Sequence, residues 1–508
     1  MRGTVSSCLA VLMCGIAVAG CGGSGRSVLT HSAAIAVKPV HLILGAPQRA
    51  LPRGFLGLSI EFQAIRAYTG SDPAAINPAF ETLVRQLSPG QSPTLRIGGD
   101  STDMSWYGPP GATAPAHASY RLTPSWLATT AGLAHAIDAQ MILGLNLAGD
   151  DPASDAAEAG ADVKAFGSTL AGFEIGNEPN LYAGIDHVRP MNFGPAQYRR
   201  EIHAIVAALP ADAAHVPLVG PALAAGPDPA GAGPWLTEMA AFLKSEPRVR
   251  TLSVHRYPLK PCYLPPSSLQ YPTIAHLLSS NATVSLGDSI HRWALVARAQ
   301  DDKLRIDELN SAACKGKNGV SNTFAASLWS TDALFSLLSA GADAVNVHTL
   351  PGSFYELFTF QDHGGHWTAD VKPVYYGLAL FAQATPFGSR LLSVGGAIHT
   401  QRLSTWATTR GHTDRLVLID KDPGHGDTVT VRAPAGAAET ATVERMAAPS
   451  VTSAHVSLGR RSYGPRTSTG TLGPPITEMI RRGPAGMFTI QVPGASAALV
   501  KFTTSAAS

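Results

Sequence analysis

Phe173-Glu-Ile-Gly-Asn-Glu-Pro-Asn-Leu-Tyr182 is a β-rich run that stops abruptly on polar residues. The apolar part ends at Gly176, Asn177 and Glu178 follow at once, and Pro179 cannot extend the ladder. Strands of a parallel barrel end this way where they open onto its upper rim. Working outward, similar short runs appear at Phe55–Phe62, Thr94–Gly98, Met141–Asn146, Pro217–Gly220, Thr251–His255, Lys303–Asp307 and Ala344–His348. Amphipathic stretches lie between or beyond them at Pro78–Leu87, Ser125–Ala139, Ala196–Leu209, Trp235–Lys244, Ile290–Ala299, Phe324–Ala340 and Val374–Ala384. Eight strands alternating with helices predict an α/β fold, a closed (β/α)8 TIM barrel over 51–385. An open doubly wound sheet is the rival, but no Gly-rich dinucleotide loop follows the first strand.

Past residue 386 the texture changes to short alternating runs parted by Gly, Pro and Ser. They predict an antiparallel β-sandwich over 386–508. Residues 34–50 begin with a further strand pattern, Ala34–Leu44, which is expected to pair with that sandwich. At the N-terminus, Arg2 precedes an apolar run that ends in Val18-Ala19-Gly20-Cys21. This resembles a bacterial lipoprotein signal over 1–20, with Cys21 as the lipidated residue and 21–33 as a tether. An ordinary secretory signal is the alternative. Either reading places the mature chain outside the cytoplasm, at the cell envelope or secreted, with membrane contact only through the lipid. The five cysteines then reduce to Cys262 and Cys314, for which an exported protein predicts a disulfide. Net charge is +2 in 508 residues, 45% hydrophobic and 15% charged, with no basic stripe. That argues for a large core and against nucleic acid as a partner.

The chemistry follows from where the polar residues fall. Asn177 and Glu178 stand at the end of the fourth strand, where a Glu can protonate a leaving oxygen while an Asn holds a sugar hydroxyl. A plain Asn-Glu-Pro capping turn would look the same locally. Leu304-Arg-Ile-Asp-Glu-Leu-Asn-Ser311 ends the seventh strand on two further carboxylates. Alternation predicts that Asp307 and Glu308 face opposite ways, with Glu308 in the mouth and Asp307 toward the helices or rim. Two carboxylates from different strands suit a double-displacement glycosidase, which needs them about 5–5.5 Å apart. Ser253-Val-His-Arg-Tyr-Pro258 ends the sixth strand, so Tyr257 can donate to the nucleophile and His255 can reach the site floor. Such chemistry requires no metal and no cofactor.

Strand-four Asn-Glu-Pro, strand-six His-x-Tyr-Pro and strand-seven Glu resemble the clan A glycoside hydrolases. Leu95-Arg-Ile-Gly-Gly-Asp-Ser-Thr-Asp103, Phe173 to Tyr182, Glu308-Leu-Asn-Ser311, Gly319 to Trp329 and Gly341 to His348 resemble glycoside hydrolase family 79, the β-glucuronidase and heparanase group. The resemblance covers residues 50 to 385. It implies a retaining enzyme on β-linked glucuronides, exo-acting in the preferred reading, with Glu178 as acid/base and Glu308 as nucleophile. It also implies that Glu61 and Asp100 contact sugar hydroxyls, that Asn177 holds the 2-hydroxyl, and that Tyr257 holds the nucleophile. A buried Arg96 inside strand two is expected to brace a catalytic carboxylate. One departure stands out. The family's tyrosine after the nucleophile, which binds the glucuronate carboxylate, is missing from Ser311-Ala-Ala-Cys-Lys315. Lys315, Tyr355 or backbone amides near Gly352 are the available substitutes. Two other readings remain: a different clan A activity (glucosidase, xylosidase or arabinofuranosidase), and a lipid-anchored carbohydrate-binding protein without turnover.

Overall fold

Eight parallel strands close into a barrel in strict chain order: β1 (Leu56–Ile60), β2 (Thr94–Ile97), β3 (Gln140–Leu145), β4 (Leu170–Ile175), β5 (Leu218–Ala224), β6 (Val249–Arg256), β7 (Lys303–Leu309) and β8 (Ala344–Thr349). This is a computed structural model that describes residues 39–108, 111–225, 234–396 and 402–504. The expected signal, Cys21, the tether and the first residues of the Ala34–Leu44 run lie outside them. Closure comes from β8 pairing with β1, Val345 opposite Leu56. The strands are buried on both faces, so they read as apolar runs rather than alternating ones. Helix starts are set by chemistry the sequence shows openly. Pro78, Pro124 and Pro152 each occupy a first turn, with Asn77, Thr123 and Asp151 capping by side-chain oxygens.

One barrel helix, Pro152–Phe166, has no apolar stripe to announce it. Its buried face carries Asp155, Glu158 and Asp162 beside Ala159 and Phe166, so hydrophobic periodicity is silent there. The loop after β8 holds a second unannounced feature, a hairpin of Phe358–Asp362 and Trp367–Val371. Among the described residues no helix is long and apolar enough to cross a membrane.

Beyond the barrel the chain forms β9 (Arg390–Gly395), β10 (Leu403–Arg410), β11 (Thr413–Asp420), β12 (Asp427–Arg432), β13 (Ala437–Ala447), β14 (Met487–Val492) and β15 (Ser496–Thr504). The leading strand Val40–Ala50 joins them, antiparallel to β9 and parallel to β12. With the short strands Ser457–Leu458 and Glu478–Arg481, hydrogen bonds link these strands into one ten-stranded sheet rather than two separate ones. The sheet folds over on itself, which brings Phe488 of β14 to 5.2 Å from Phe502 of β15, ring centre to ring centre. Period two divides its side chains. Leu416, Leu418, Val500 and Phe502 fill the sheet's own core, while Val417, Ile419 and Leu499 pack into the core that includes the barrel. A buried polar joint fixes the two together. Asp332, on the helix Phe324–Ala340 after β7, accepts from Lys421, Ser404 and Trp406 at 2.8–2.9 Å.

Candidate active site

Arg96 of β2 is the hub of the site. Fully buried, it donates to Glu174 of β4 (2.7 Å), Glu308 of β7 (2.9 Å), Asn177 (3.0 Å) and Ser59 of β1 (3.1 Å). Its planar fork can serve several acceptors at once, which an ammonium could not do with the same geometry.

Glu308 is gripped from both sides. Tyr257 donates to its Oε1 at 2.6 Å, and Arg96 donates to its Oε2. Burial opposes the ionised form, but the charges of His255 and Arg96 and the Tyr257 hydroxyl hold its carboxyl well below the usual carboxylate range. His348 of β8 accepts or donates at Ser59 (3.0 Å). It is pushed down to about 4 by burial, with Arg96 and His255 adding to the effect, so at neutral pH it presents a neutral ring.

Glu178 sits at φ 49°, a left-handed backbone unusual for a non-glycine residue, and its N–H donates to Ala222 O at 3.0 Å. Its side chain is 21% exposed. Nδ1 of His255 lies 2.8 Å from Glu178 Oε1 and 3.8 Å from Glu308 Oε2. These two oxygens are therefore no more than 6.6 Å apart, the two distances laid end to end.

Asn177 has its Oδ1 committed to Arg96, while its Nδ2 faces Asp100 Oδ1 at 3.5 Å. The Nδ2 donor is thus turned toward the mouth. Glu61 accepts from both the N–H and the hydroxyl of Ser101 and stands 3.6 Å from His348. Burial, then the neighbouring Asp100 and Glu308 charges, push Glu61 up to about 8. Burial and the charges of Glu308 and Glu178 push Asp100 up to about 7. Tyr355 is nearly buried, its ring 6.2 Å from Tyr257 and 5.9 Å from His348.

One expectation needs correction. Asp307 does not turn toward the helices or the rim. A bulge in β7 sets Ile306 opposite Val254 and Glu308 opposite His255, skipping Asp307. That extra residue re-aims the strand end. Asp307 and Glu308 then both face inward, Asp307 fully buried with Oδ1 3.5 Å from His255 Nε2. The backbone amide of Gly352 donates to Glu356 at 3.3 Å. Lys315 is exposed, and its carbonyl accepts from Phe354 N–H. Cys262 and Cys314 are joined, with Cα atoms 6.4 Å apart. They tie the loop after β6 to the loop after β7, beside a backbone bridge between Leu259 and Ala312.

Sequence reading passed over Glu174, Asp103 and Lys260. Asp103 accepts from Tyr182 (2.6 Å) and from Asn177 N–H (3.2 Å), so it fixes the turn that presents Glu178. The Thr102-Asp103 pair after Gly-Gly is the only signal that could have found it. Lys260 is lowered by burial and by Arg256, against the pull of Glu178. A cleft of about 1140 Å³ lies between the loop after β8 and the sheet, walled by Phe354, Glu356, Lys372, Tyr376 and His455. Among the described residues, none of Glu61, Asp100, Glu178 or Glu308 lines it.

No family model matches the chain. A β-glucuronidase of Neurospora crassa is 26% identical over 419 residues, 74% of this chain and 73% of that protein. Among solved structures, a 4-O-α-L-rhamnosyl-β-D-glucuronidase of Fusarium oxysporum matches with TM-score 0.70 at 19% identity, over 91% of this chain and 99% of the other. A family 51 arabinofuranosidase of Xanthomonas axonopodis pv. citri matches with TM-score 0.67 at 13% identity, over 92% and 100%. These likenesses establish the fold, an eight-stranded barrel with an attached antiparallel sheet of the kind found in several glycosidases.

Proposed function

We propose that this chain is a retaining glycoside hydrolase, exo-acting on β-linked glucuronides, with Glu308 as nucleophile and Glu178 as acid/base. The observation that carries the reading is the shared imidazole nitrogen. It caps the Glu178–Glu308 oxygen separation at 6.6 Å, at the lower edge of the range of about 6.5–9.5 Å that inverting enzymes need to fit a water. That ceiling supports the double displacement of a retaining enzyme, whose carboxylates stand about 5–5.5 Å apart. Glu308 attacks the anomeric carbon as the ion that Tyr257 and Arg96 hold ready. Glu178 protonates the departing oxygen, then takes a proton from water as the glycosyl ester is hydrolysed. Asn177 Nδ2 meets the 2-hydroxyl, and Glu61 and Asp100 meet the remaining hydroxyls.

The glucuronide preference rests on the Neurospora relative and on the Fusarium structure, each named for that sugar acid. Hydrolysis of a chromogenic β-glucuronide beside the matching β-glucoside tests it. Preferential release from the glucuronide is the expected outcome. Preferential release from the glucoside moves the specificity to another clan A sugar, and binding without release from either overturns the enzyme reading. Export to the cell envelope on a lipidated Cys21 belongs to the same proposal. Palmitate labelling that persists in Cys21→Ser would refute it.

A further inference from the structure

Below the catalytic pair lies a second set of ionisable groups that the double displacement does not use. Glu174, Asp307 and His255 are all buried, and they meet Arg96 in the barrel interior. Ser253 donates to Glu174 Oε1 at 3.1 Å, and Arg96 to its Oε2. With Glu174 ionised, neither oxygen of Asp307 has a hydrogen-bond donor. A proton on Glu174 supplies one. Burial holds Glu174 in the protonated form, well above the usual carboxylate range. Burial opposes the charge on Asp307, but the Glu174 hydrogen bond, His255 and Arg96 keep it ionised.

His255 spans this lower pair and the site above. Its Nδ1 faces Glu178 at 2.8 Å, and its Nε2 faces Asp307 at 3.5 Å. Arg96 Nη2 approaches the same Nε2 at 3.4 Å. A neutral ring could accept from Arg96 there; a protonated ring is drawn to Asp307. The surrounding charges favour the second. Asp307 and Glu308 are two buried anions that share Arg96 between them, and an imidazolium beside both adds a second opposite charge. Arg305 also acts on Asp307 through its charge, but its guanidinium donates to Asn346. Burial lowers the ring's affinity for a proton, but Glu308, Asp307 and Glu178 outweigh it and raise His255 to about 9. His348 faces the cluster from β8 as a neutral ring, and Asp100 and Tyr257 border it from above.

We infer that His255 is the proton store of the acid/base, and that Asp307 is the positioning residue that keeps it loaded. The inference rests on the retaining reading above. In the first half-reaction the C1–O bond breaks, and its electron pair stays on the leaving oxygen. Glu308 forms the new C1–O bond, and Glu178 hands its proton to the leaving oxygen. That proton reaches Glu178 from His255 Nδ1, so the ring ends neutral. In the second half, water attacks C1, Glu178 takes the water proton and returns it to His255, and Glu308 leaves as the carboxylate.

Two measurements test this. The first is the pH profile of kcat/KM for Asp307→Asn on a glycoside with a poor leaving group. Without the Asp307 charge the ring loses its proton more easily, so the basic limb moves to lower pH by about one to three units. A loss of rate with the basic limb unmoved is what a merely structural role gives, and it overturns the inference. The second needs no substrate and no variant that has to fold. In wild-type protein with 15N-labelled histidine, the His255 ring, assigned by comparison with His255→Gln, is expected to remain an imidazolium above pH 8. Deprotonation at or below the ordinary histidine value overturns the inference whatever the enzyme cleaves. Absence of glycosidase activity with His255 still an imidazolium above pH 8 would instead fault the functional reading.

Discussion

Replacing Glu178 by glutamine removes one transferable proton and little else. The amide oxygen can still accept from His255 Nδ1, now 2.8 Å from Oε1. The grip of Tyr257 and Arg96 on Glu308 is untouched. What is lost is general acid and base help, worth about 10²- to 10⁴-fold, or roughly 3–5.5 kcal/mol at 1.36 kcal/mol per decade. Only bonds whose leaving oxygen needs a proton feel this in the first half-reaction. On an alkyl β-glycoside, kcat/KM is expected to fall about 10³-fold, inside that range. On an activated aryl glycoside it is expected to stay within about tenfold, while kcat and KM fall together because the second half-reaction has lost its base. The Glu178 side chain is 21% exposed, so Glu178→Ala opens a path from solvent to C1, and azide should restore kcat on the aryl substrate. Steady-state kinetics on both substrates is the assay. Equal losses on the two, with no response to azide, would refute the assignment of Glu178.

Arg96→Met leaves Glu308 without its buried cation and Glu174 without its donor, and breaking such a buried pair costs about 3–5 kcal/mol, read as a lower denaturant midpoint. The Cys262–Cys314 bridge spans 52 residues of sequence, for which loop entropy gives about 4 kcal/mol; a Cys262→Ser/Cys314→Ser variant that melts with the wild type would contradict it. The buried carboxyls of Asp155, Glu158 and Asp162 are held well above their usual values by burial, and burial pushes Asp103 up to about 7. Such groups bind protons more tightly when folded. Their contribution is complete in acid and is lost as pH rises through the folded values, so Tm should fall between about pH 4 and pH 8. The triple Asp155→Asn, Glu158→Gln, Asp162→Asn variant should flatten that fall.

The barrel was legible because its strands are short apolar runs that end on polar residues, as Phe173 to Tyr182 shows. The places of Glu178 and Glu308 were legible for the same reason, since each stands where a buried run stops. Local pattern failed where the pattern itself was broken. Alternation separates Asp307 from Glu308, and only the bulge, a property of how β7 pairs with β6, turns both inward. Nothing in the residue order announces it. The helix Pro152–Phe166 escaped notice because its buried face is acidic. Glu174 lies inside an apolar strand, where its role depends on Arg96, which is distant in sequence. Pairing partners across a barrel are tertiary facts, and a one-dimensional period cannot carry them.

The most direct test of the account is capture of the glycosyl-enzyme. A 2-deoxy-2-fluoro-β-glucuronosyl fluoride should inactivate the protein with one-to-one stoichiometry. Peptide mass spectrometry should then place the fluorosugar on Glu308, in the peptide that follows Arg305. Labelling of Glu178 or Asp307 instead, or slow turnover of this reagent with release of the α-anomer first and no covalent adduct, would contradict the proposed double displacement through Glu308.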